Sequence, residues 1–332
     1  MQFVPISGSH RSTPGWGKSV VAERGYGSAR IWAIGGGKGG TGKTFIAANL
    51  GVVLAQKALN TNLVDVDLGA PNLHTFLGVR NPAPNLGDFL HLKGSNLSHF
   101  ALETPEPSLR LISGPTKTLF ADNLRFFQKR KLLNHIRRLD GTITLVDIGA
   151  GSAYNNVDFF LMSDVRMIVM TPDPASVENA YLFLRAAALR TLEASVRKLG
   201  IEGMLDKVIE SRHSGPSSIP GLLDRLASLD RGCAQILMGA LEQRNTYLIL
   251  NKVRDNSAHS VGRSICDVAR KCLGIPLRFL GAVPWDEDAR RSMLRFTPHA
   301  KTFPRSTTAQ ALRSMAETLL DVQTRIGSKT WP

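Results

Sequence analysis

The sequence predicts a three-layer α/β fold, in which a mostly parallel sheet of roughly seven or eight strands is covered by helices on both faces. Short apolar runs, nearly continuous and mostly followed by Asp, Asn, Gly or Pro, alternate along the chain with stretches of helical periodicity. Strands buried on both faces and alternating with helices are typical of parallel sheets. The 332 residues, 43% of them hydrophobic, are enough to bury a large core.

Each apolar run predicts one strand. The first run, 31–34, ends in a series of glycines, and residues 45–59 follow it with small and apolar residues at helical spacing. The remaining predicted strands are 63–64, 109–112, 143–146, 167–170, 247–250 and 279–283.

One connection, from residue 176 to about 243, is unusually long. We interpret it as a helix, a breaker at 211–216 and a further helical stretch over 222–241, so that about 185–243 form a helical insertion. Two interpretations stay open at this point. The insertion either covers the sheet or presents a surface for a partner or for dimerisation.

The two ends of the chain are predicted to lie outside the main domain, which spans 30–322. Residues 1–29 are rich in Gly, Ser and Arg and indicate a mobile basic leader; they hold no apolar stretch of signal-peptide length. Residues 323–332 form a short tail. No apolar run reaches the ~20 residues of a membrane-spanning helix, which argues against an integral membrane protein.

The net charge and the cysteines indicate which ligands, compartment and metal sites fit this chain. The formal net charge of +14 favours contact with DNA, RNA, anionic lipid or phosphorylated ligands, or else serves only as a solubilising surface. The three cysteines form no C-x-x-C pair, which fits a reducing cytoplasm. It also argues against a zinc or iron–sulfur site held within one chain.

A glycine-rich phosphate loop follows the first predicted strand and opens a helix. It fits the pattern G-x-x-x-x-G-K-[ST] in the structural context that the pattern requires. The backbone N–H groups and the helix N-terminus attract an anion, the lysine reaches the β- and γ-phosphates, and the hydroxyl binds Mg²⁺. The loop residues are Gly37, Lys38, Gly39, Gly40, Thr41, Gly42, Lys43 and Thr44.

A second acid supports this interpretation. Asp147 ends the apolar run 143–146 and is followed by Ile-Gly-Ala-Gly. An acid at the carboxyl end of a neighbouring strand can hold the metal's waters, and the glycines after it can form a hinge that responds to the γ-phosphate.

The second lysine of the loop, Lys38, makes it similar to the deviant Walker A motif of the MinD/ParA ATPases, within the SIMIBI class of P-loop NTPases. Four further segments resemble this family: switch I at 64–73, switch II at 147–151, the segment 171–177 and the late G-x-x-P-x-D segment at 281–288. The resemblance covers roughly residues 30–320. Within the family it is greatest to MinD-like proteins and the flagellar-number regulator FlhG.

This resemblance implies ATP or ADP and Mg²⁺ as ligands, and it implies roles for single residues. Lys38 would reach the phosphates of the other subunit's ATP in an ATP-dependent homodimer, while Lys43 would bind phosphates in its own subunit. Asp67 would orient or activate the attacking water, and the metal would involve Thr44, Asp67 and Asp147.

Further nucleotide contacts are implied at three places. Asn72 would lie beside the water in switch I, and Asn251 with the turn from Pro284 to Asp286 would face the adenine. Strand termination is an equal alternative for Asn251. A structural role is preferred for Asp65.

The sequence departs from the family pattern at three places. Gly149 stands where switch II usually has proline, and the leader lacks the D-Q-A-x-x-L motif with which FlhG engages a GTPase. No basic amphipathic helix ends the chain, so membrane anchoring at the C-terminus is not implied. Instead, the last helix has an apolar face suited to core packing, formed by Leu312, Met315, Leu319, Leu320 and Val322.

The preferred function is a slowly hydrolysing ATP-dependent dimer switch that positions or counts a cellular assembly and is stimulated by an unidentified protein partner. The alternatives are a ParA-like partition ATPase on non-specific DNA, a P-loop enzyme of metabolic phosphoryl transfer or metal-cluster carriage, and a non-hydrolysing scaffold. The expected location is the cytoplasm, with possible peripheral contact to the nucleoid or an anionic membrane surface.

Overall fold

The computed structural model describes residues 30–92, 94–115, 124–201, 218–242, 245–255 and 257–327. Eight strands form one sheet in the order β3-β4-β2-β5-β1-β6-β7-β8, and only the β3–β4 pair is antiparallel. The mostly parallel α/β sheet is therefore confirmed. The strands are β1 (Arg30–Gly35), β2 (Thr61–Asp65), β3 (Leu102–Glu103), β4 (Leu109–Ile112), β5 (Ile143–Asp147), β6 (Val165–Met170), β7 (Asn245–Val253) and β8 (Leu277–Pro284).

Within the described residues, twelve α-helices and one 3₁₀ turn (Leu97–Phe100) lie between the strands or follow the last one. The helices are α1 (Lys43–Gln56), α2 (Leu73–Phe76), α3 (Leu86–His91), α4 (Phe126–Ile136), α5 (Tyr154–Leu161), α6 (Pro174–Leu199), α7 (Ile219–Leu229), α8 (Arg231–Glu242), α9 (Ala258–Leu273), α10 (Glu287–Leu294), α11 (His299–Thr302) and α12 (Thr307–Gly327).

The central strand shows why an unbroken apolar run becomes a parallel strand. In β1, Ile31 and Ala33 join the core on one face of the sheet, while Trp32 and Ile34 join the core on the other face. All four side chains are fully buried. Because helices cover both faces, no position in such a strand has to be polar.

The two cores are covered by different helices. One contains apolar residues of α3 to α9, and the other contains apolar residues of α1, α2, α11 and α12. Leu312, Met315 and Leu319 of α12 are buried, as their spacing predicted. This helix continues to Gly327, so the first residues of the tail expected at 323–332 are helical.

The strand order places the β1–α1 loop at a switch point of the sheet. β1 lies between β5 and β6. Strands β2 to β5 all lie on one side of β1, and β6 to β8 lie on the other side. In open α/β sheets, ligands bind outside the carboxyl ends of the strands at such a point. The loop that follows β1 is therefore open to a ligand.

The long connection is helical but differs in detail from the expectation. The stretch predicted as one helix over 222–241 is divided into α7 and α8 at Asp230. The Asp230 carboxylate accepts a hydrogen bond of 2.9 Å from the Cys233 N–H, and Asp is a preferred residue at helix N-termini for this reason. Apolar residues of both helices, such as Leu226 and Leu237, are buried in the core, and the two helices pack against α6 and α9.

Some expectations concern other parts of the chain. The leader 1–29 and the breaker 211–216 lie outside the described residues. Over the ranges that the structure describes, no helix combines the length and apolar character that a membrane span needs. The edge strand β3 was not predicted, because two residues are too few to form an apolar run.

Candidate functional site

The phosphate loop runs from the end of β1 to the first residue of α1, and its glycines are required by close neighbours. Gly42 has a φ of +93°, and a Cβ atom there would lie 2.2 Å from Asn251 Nδ2. A Cβ atom at Gly37 would lie 1.9 Å from the Asn179 carbonyl oxygen of α6. Only glycine fits these two positions, since L-residues rarely adopt the first conformation and no side chain fits the second.

The end of β7 holds the loop from outside. Asn251 Nδ2 donates to the Thr41 carbonyl oxygen at 2.7 Å, and Lys252 Nζ donates to the Gly40 carbonyl oxygen at 2.8 Å. Asn251 was predicted to face the adenine; in the structure its buried amide fixes the loop. Lys252 was not predicted, because one lysine after a strand carries no distinguishing pattern.

Lys43 lies beneath the loop. Its side chain is 7% exposed, and Nζ donates to the Lys38 carbonyl oxygen at 3.2 Å. Burial lowers the pKa of Lys43, while Asp147 and Asp67 act in the opposite direction. The ammonium therefore lies within the field of two carboxylates, and a phosphate at the loop would add a third source of negative charge.

Two carboxylates lie side by side at the carboxyl ends of β2 and β5. Asp65 pairs with Asp147 in the strand register. Burial and the neighbouring Asp147 raise the pKa of Asp65 well above its ordinary value. Both Asp65 oxygens accept hydrogen bonds from the following loop, from the Asp67 N–H at 3.0 Å and the Leu73 N–H at 3.1 Å. Asp65 thus shapes switch I, the structural role expected of it.

Asp147 is buried and incompletely bonded. Its Oδ1 atom has no hydrogen-bond partner, and burial raises its pKa to about 7 against the opposing effects of the Thr44 hydroxyl and Lys43. The Thr41 hydroxyl is also buried without a partner. A buried oxygen without a partner is free to bond to a ligand, and these two belong to the phosphate loop and to the end of the neighbouring strand β5.

These residues fit a Mg²⁺–nucleotide site. A carboxylate with a free oxygen lies beside the hydroxyl of Thr44, and Mg²⁺ is usually held by one or two protein oxygens together with water and phosphate. Among the described residues, no group of three or more His, Cys, Asp or Glu could hold a metal by itself. A metal here would therefore depend on the nucleotide.

Asp67 lies against switch II. Its Oδ1 atom accepts hydrogen bonds from the Gly69 and Ala70 N–H groups at 3.2 and 3.0 Å. A Cβ atom at Gly149 would lie 3.2 Å from the Asp67 carboxyl carbon. The glycine that replaces the family's usual proline thus leaves room for this carboxylate. Asn72, at the start of α2, is exposed, and its side chain does not cap that helix.

Lys38 lies on the outer side of the loop. Its ammonium is 3.5 Å from Asp173 Oδ1, and the two side chains are 43% and 46% exposed. Asp173 also begins α6 by accepting the Ser176 N–H at 2.9 Å. The pKa of Asp173 is lowered by the Thr171 hydroxyl, the Ser176 N–H and Lys38. This pair, which joins two segments of the family resemblance, was not predicted.

A cavity of about 440 Å³ opens beside Lys38. Trp285 lies on its wall, and the Arg254 guanidinium lies 4.5 Å from the centre of the Trp285 ring. Asp286, predicted to face the adenine, caps α10 through the Asp288 N–H at 2.8 Å and lies 3.3 Å from the buried His299 Nε2. The cavity is lined by Lys38, Gly39, Gly40, Thr41, Thr171, Pro172, Asp173, Lys252, Arg254 and Trp285.

Pro284 ends β8, and the turn from Pro284 to Asp286 contributes Trp285 to the cavity wall, whereas Asn251, Pro284 and Asp286 do not line the cavity. Their role in binding a base stays a prediction.

A parallel sheet with a phosphate loop at its switch point, a buried lysine and a free carboxylate defines a P-loop nucleotide-binding protein. The family described as CobQ/CobB/MinD/ParA nucleotide binding domain matches residues 32–298. The chain belongs to this family.

Two relatives match this chain over different lengths. The flagellum site-determining protein YlxH of Helicobacter pylori is 32% identical over 48% of this chain, and the match spans 54% of that protein, about half its length. The antiactivator FleN of Pseudomonas aeruginosa is 23% identical over 87% of this chain and 85% of its own length.

Solved structures share the fold. The septum site-determining protein MinD of Pyrococcus horikoshii, solved in complex with Mg-ADP, has a TM-score of 0.55 and 22% identity, over 88% of this chain and 96% of that one.

We predict that Asn251→Ala weakens nucleotide binding about tenfold, because the loop loses a buried hydrogen bond and the Thr41 carbonyl loses its partner. Calorimetric titration with an ATP analogue measures the change. Lys252→Ala is the matched control: its hydrogen bond to the same loop is exposed, so a smaller loss is expected. Equal losses in the two variants would contradict the role of burial.

We predict that the free energy of unfolding of the nucleotide-free chain falls as pH rises from about 4 to about 7. The folded state binds the Asp147 proton more tightly than the unfolded chain does, because the pKa of Asp147 is raised from 3.8 to about 7. Thermal unfolding without Mg²⁺ at pH 5 and pH 8 tests this.

The fall in melting temperature between these pH values should shrink by a few degrees in Asp147→Asn. It should be unchanged in Asp224→Asn, whose carboxylate is exposed on α7. Identical pH dependence in all three proteins would show that Asp147 is not the source.

Proposed function

We propose that this protein is an ATP-dependent dimer switch. The observation that carries the proposal is that the two lysines of one loop lie in different positions. Lys43 is buried beneath the loop, whereas Lys38 extends from the outer side and is 43% exposed. A lysine in that position can reach a phosphate bound by a second copy of the chain, so that ATP joins two subunits.

Each remaining group of the site has a separate task in ATP hydrolysis. The loop N–H groups and Lys43 would bind the phosphates, while Thr44 and Asp147 would hold Mg²⁺, which would neutralise charge on the phosphates. Asp67 orients the attacking water. Since Asp67 hydrogen-bonds two switch I N–H groups and lies against Gly149 of switch II, a movement of either switch changes the position of this carboxylate.

The cellular task that we propose is the placement or number control of an assembly. Relatives named for flagellum site determination, antiactivation and septum site determination support this proposal. We also propose that hydrolysis is slow until a protein partner completes the site, because Asp67 is held by its own loop in the single chain.

We predict that Lys38→Ala binds an ATP analogue with nearly unchanged affinity but fails to dimerise. Removing Lys38 takes away a contact to the other subunit's phosphates and leaves Lys43 in place. Light scattering coupled to size-exclusion chromatography measures the mass with and without the analogue. Lys57→Ala is the matched control, since Lys57 also forms an exposed ion pair, with Glu317 at 2.8 Å. Nucleotide-dependent dimers of Lys38→Ala would refute the switch.

We predict that Asp173→Asn strengthens ATP-dependent dimerisation about two- to fivefold. The substitution keeps a residue that caps α6 but removes the charge that holds Lys38 within its own chain, and exposed ion pairs contribute ~0.2–1 kcal/mol. Sedimentation equilibrium measures the dimer constant, with Glu317→Gln as control. A weaker dimer would show that Asp173 serves the interface itself.

We predict that Gly149→Ala lowers ATP turnover about tenfold or more while nucleotide binding is retained, because the new methyl group displaces the Asp67 carboxylate. Asp67→Ala should abolish turnover and accumulate the ATP-bound dimer. Phosphate release and light scattering measure the two effects. An Asp67→Ala protein that stays monomeric with ATP would contradict the role of Asp67.

A further inference from the structure

The end of α10 exposes apolar side chains in succession. Met293, Leu294 and Phe296 are 40%, 66% and 52% exposed, and Arg295 between them is exposed as well. We call residues Met293 to Phe296 the α10 turn. Large apolar side chains exposed next to one another mark interaction surfaces more often than single ones do.

The backbone holds this turn in place. The carbonyl oxygen of the buried Ser292 accepts hydrogen bonds from the Arg295 and Thr297 N–H groups, both at 3.1 Å. Phe296 has a φ of +53°, a strained conformation for an aromatic residue. Behind it, a Cβ atom at Gly78 would lie 2.7 Å from the Phe296 carbonyl oxygen. The turn is therefore held by backbone hydrogen bonds and by its close contact with Gly78, and it exposes apolar side chains to solvent.

Two exposed arginines accompany the turn. Arg295 lies within it, and Arg80 lies two residues after Gly78; both are exposed, and neither forms an ion pair among the described residues. Arg290 and Arg291 of α10 pair with Glu287 and Asp288 at 2.7 and 2.9 Å. The free charges next to the exposed apolar side chains are thus positive.

We propose that the α10 turn docks on an anionic lipid surface. Leu294 and Phe296 enter the boundary between headgroups and acyl chains, Met293 lies along it, and Arg80 and Arg295 stay at the level of the lipid phosphates. Apolar residues with basic ones beside them match an interface that is apolar inside and negatively charged outside. Double-stranded DNA would satisfy the arginines but offers no apolar layer to the aliphatic Met293 and Leu294.

The site lies outside the phosphate loop and both switches, so the proposal goes beyond the nucleotide switch and does not require it. A single turn with three apolar side chains gives weak, reversible contact, since stable anchoring takes more than one signal. Its charge component also makes the contact sensitive to salt.

The test is co-sedimentation of the nucleotide-free full chain with vesicles of phosphatidylcholine alone, or of equal parts phosphatidylcholine and phosphatidylglycerol. We expect retention on the anionic vesicles at low salt and little on the neutral ones. The double variant Leu294→Glu/Phe296→Glu should lower retention about tenfold or more, because glutamate is repelled by the surface and does not insert. Arg80→Ala/Arg295→Ala should lower it several-fold and weaken its salt dependence.

Leu229→Glu is the matched control, because Leu229 is 61% exposed at the end of α7. It should bind vesicles like the unchanged chain. Thermal unfolding and nucleotide titration should be unaltered in all variants, which separates this proposal from the nucleotide switch.

Three results of the binding assays would overturn the proposal. The first is that the chain is not retained on anionic vesicles, and the second is that Leu229→Glu lowers retention as much as the double variant does. The third is that the chain is retained on duplex DNA but not on vesicles, and that the double variant abolishes this retention on DNA. Concentration-dependent self-association removed by the same variant would also overturn it and assign the turn to a contact between copies.

Discussion

Charge buried at the carboxyl ends of the central strands determines how this site is built. Lys43 beneath the loop, Asp147 at the end of β5 and Asp65 at the end of β2 all have little contact with water. Polar and ionisable groups buried in such a place require partners. Asp65 satisfies this need with two backbone N–H groups, whereas Asp147 retains an oxygen without a partner. The free oxygen of Asp147 can therefore bind a cation that accompanies the phosphates of a nucleotide.

The loop above these charges is rigid on one side and open on the other. Asn251 and Lys252 donate hydrogen bonds to its carbonyl oxygens, and the backbone of Asn179 lies close to its first glycine, Gly37. By contrast, a Cβ atom at Gly39 or Gly40 would meet no heavy atom within 4 Å. Lys38 extends from the open side. The phosphate loop is therefore held by β7 on one side and accessible to a second chain on the other. Dimerisation in our proposal uses that open side without disturbing the anchored one.

Local pattern was a good guide wherever one strand or helix could be judged by itself. Every apolar run became a strand, because a strand buried on both faces needs no other signal than continuous hydrophobicity. Prediction failed where an element was too short, as at β3, or where a single capping residue divided a periodic stretch, as Asp230 did between α7 and α8. The positions of Lys43, Thr44 and Asp147 at one edge of the sheet also followed from the sequence, since parallel strands bring their carboxyl ends together.

By itself, then, the sequence determined the alternation of strands and helices, the phosphate loop and the acid at the end of β5, because each depends on contacts between near neighbours. Only the tertiary structure decided that Asn251 binds the loop 210 residues away and that Lys38 pairs with Asp173 at a separation of 135 residues. It also placed Arg254 beside Trp285 on the cavity wall. Such partners depend on strand order and on the direction of each side chain at a strand end, and neither is encoded in a short stretch of sequence.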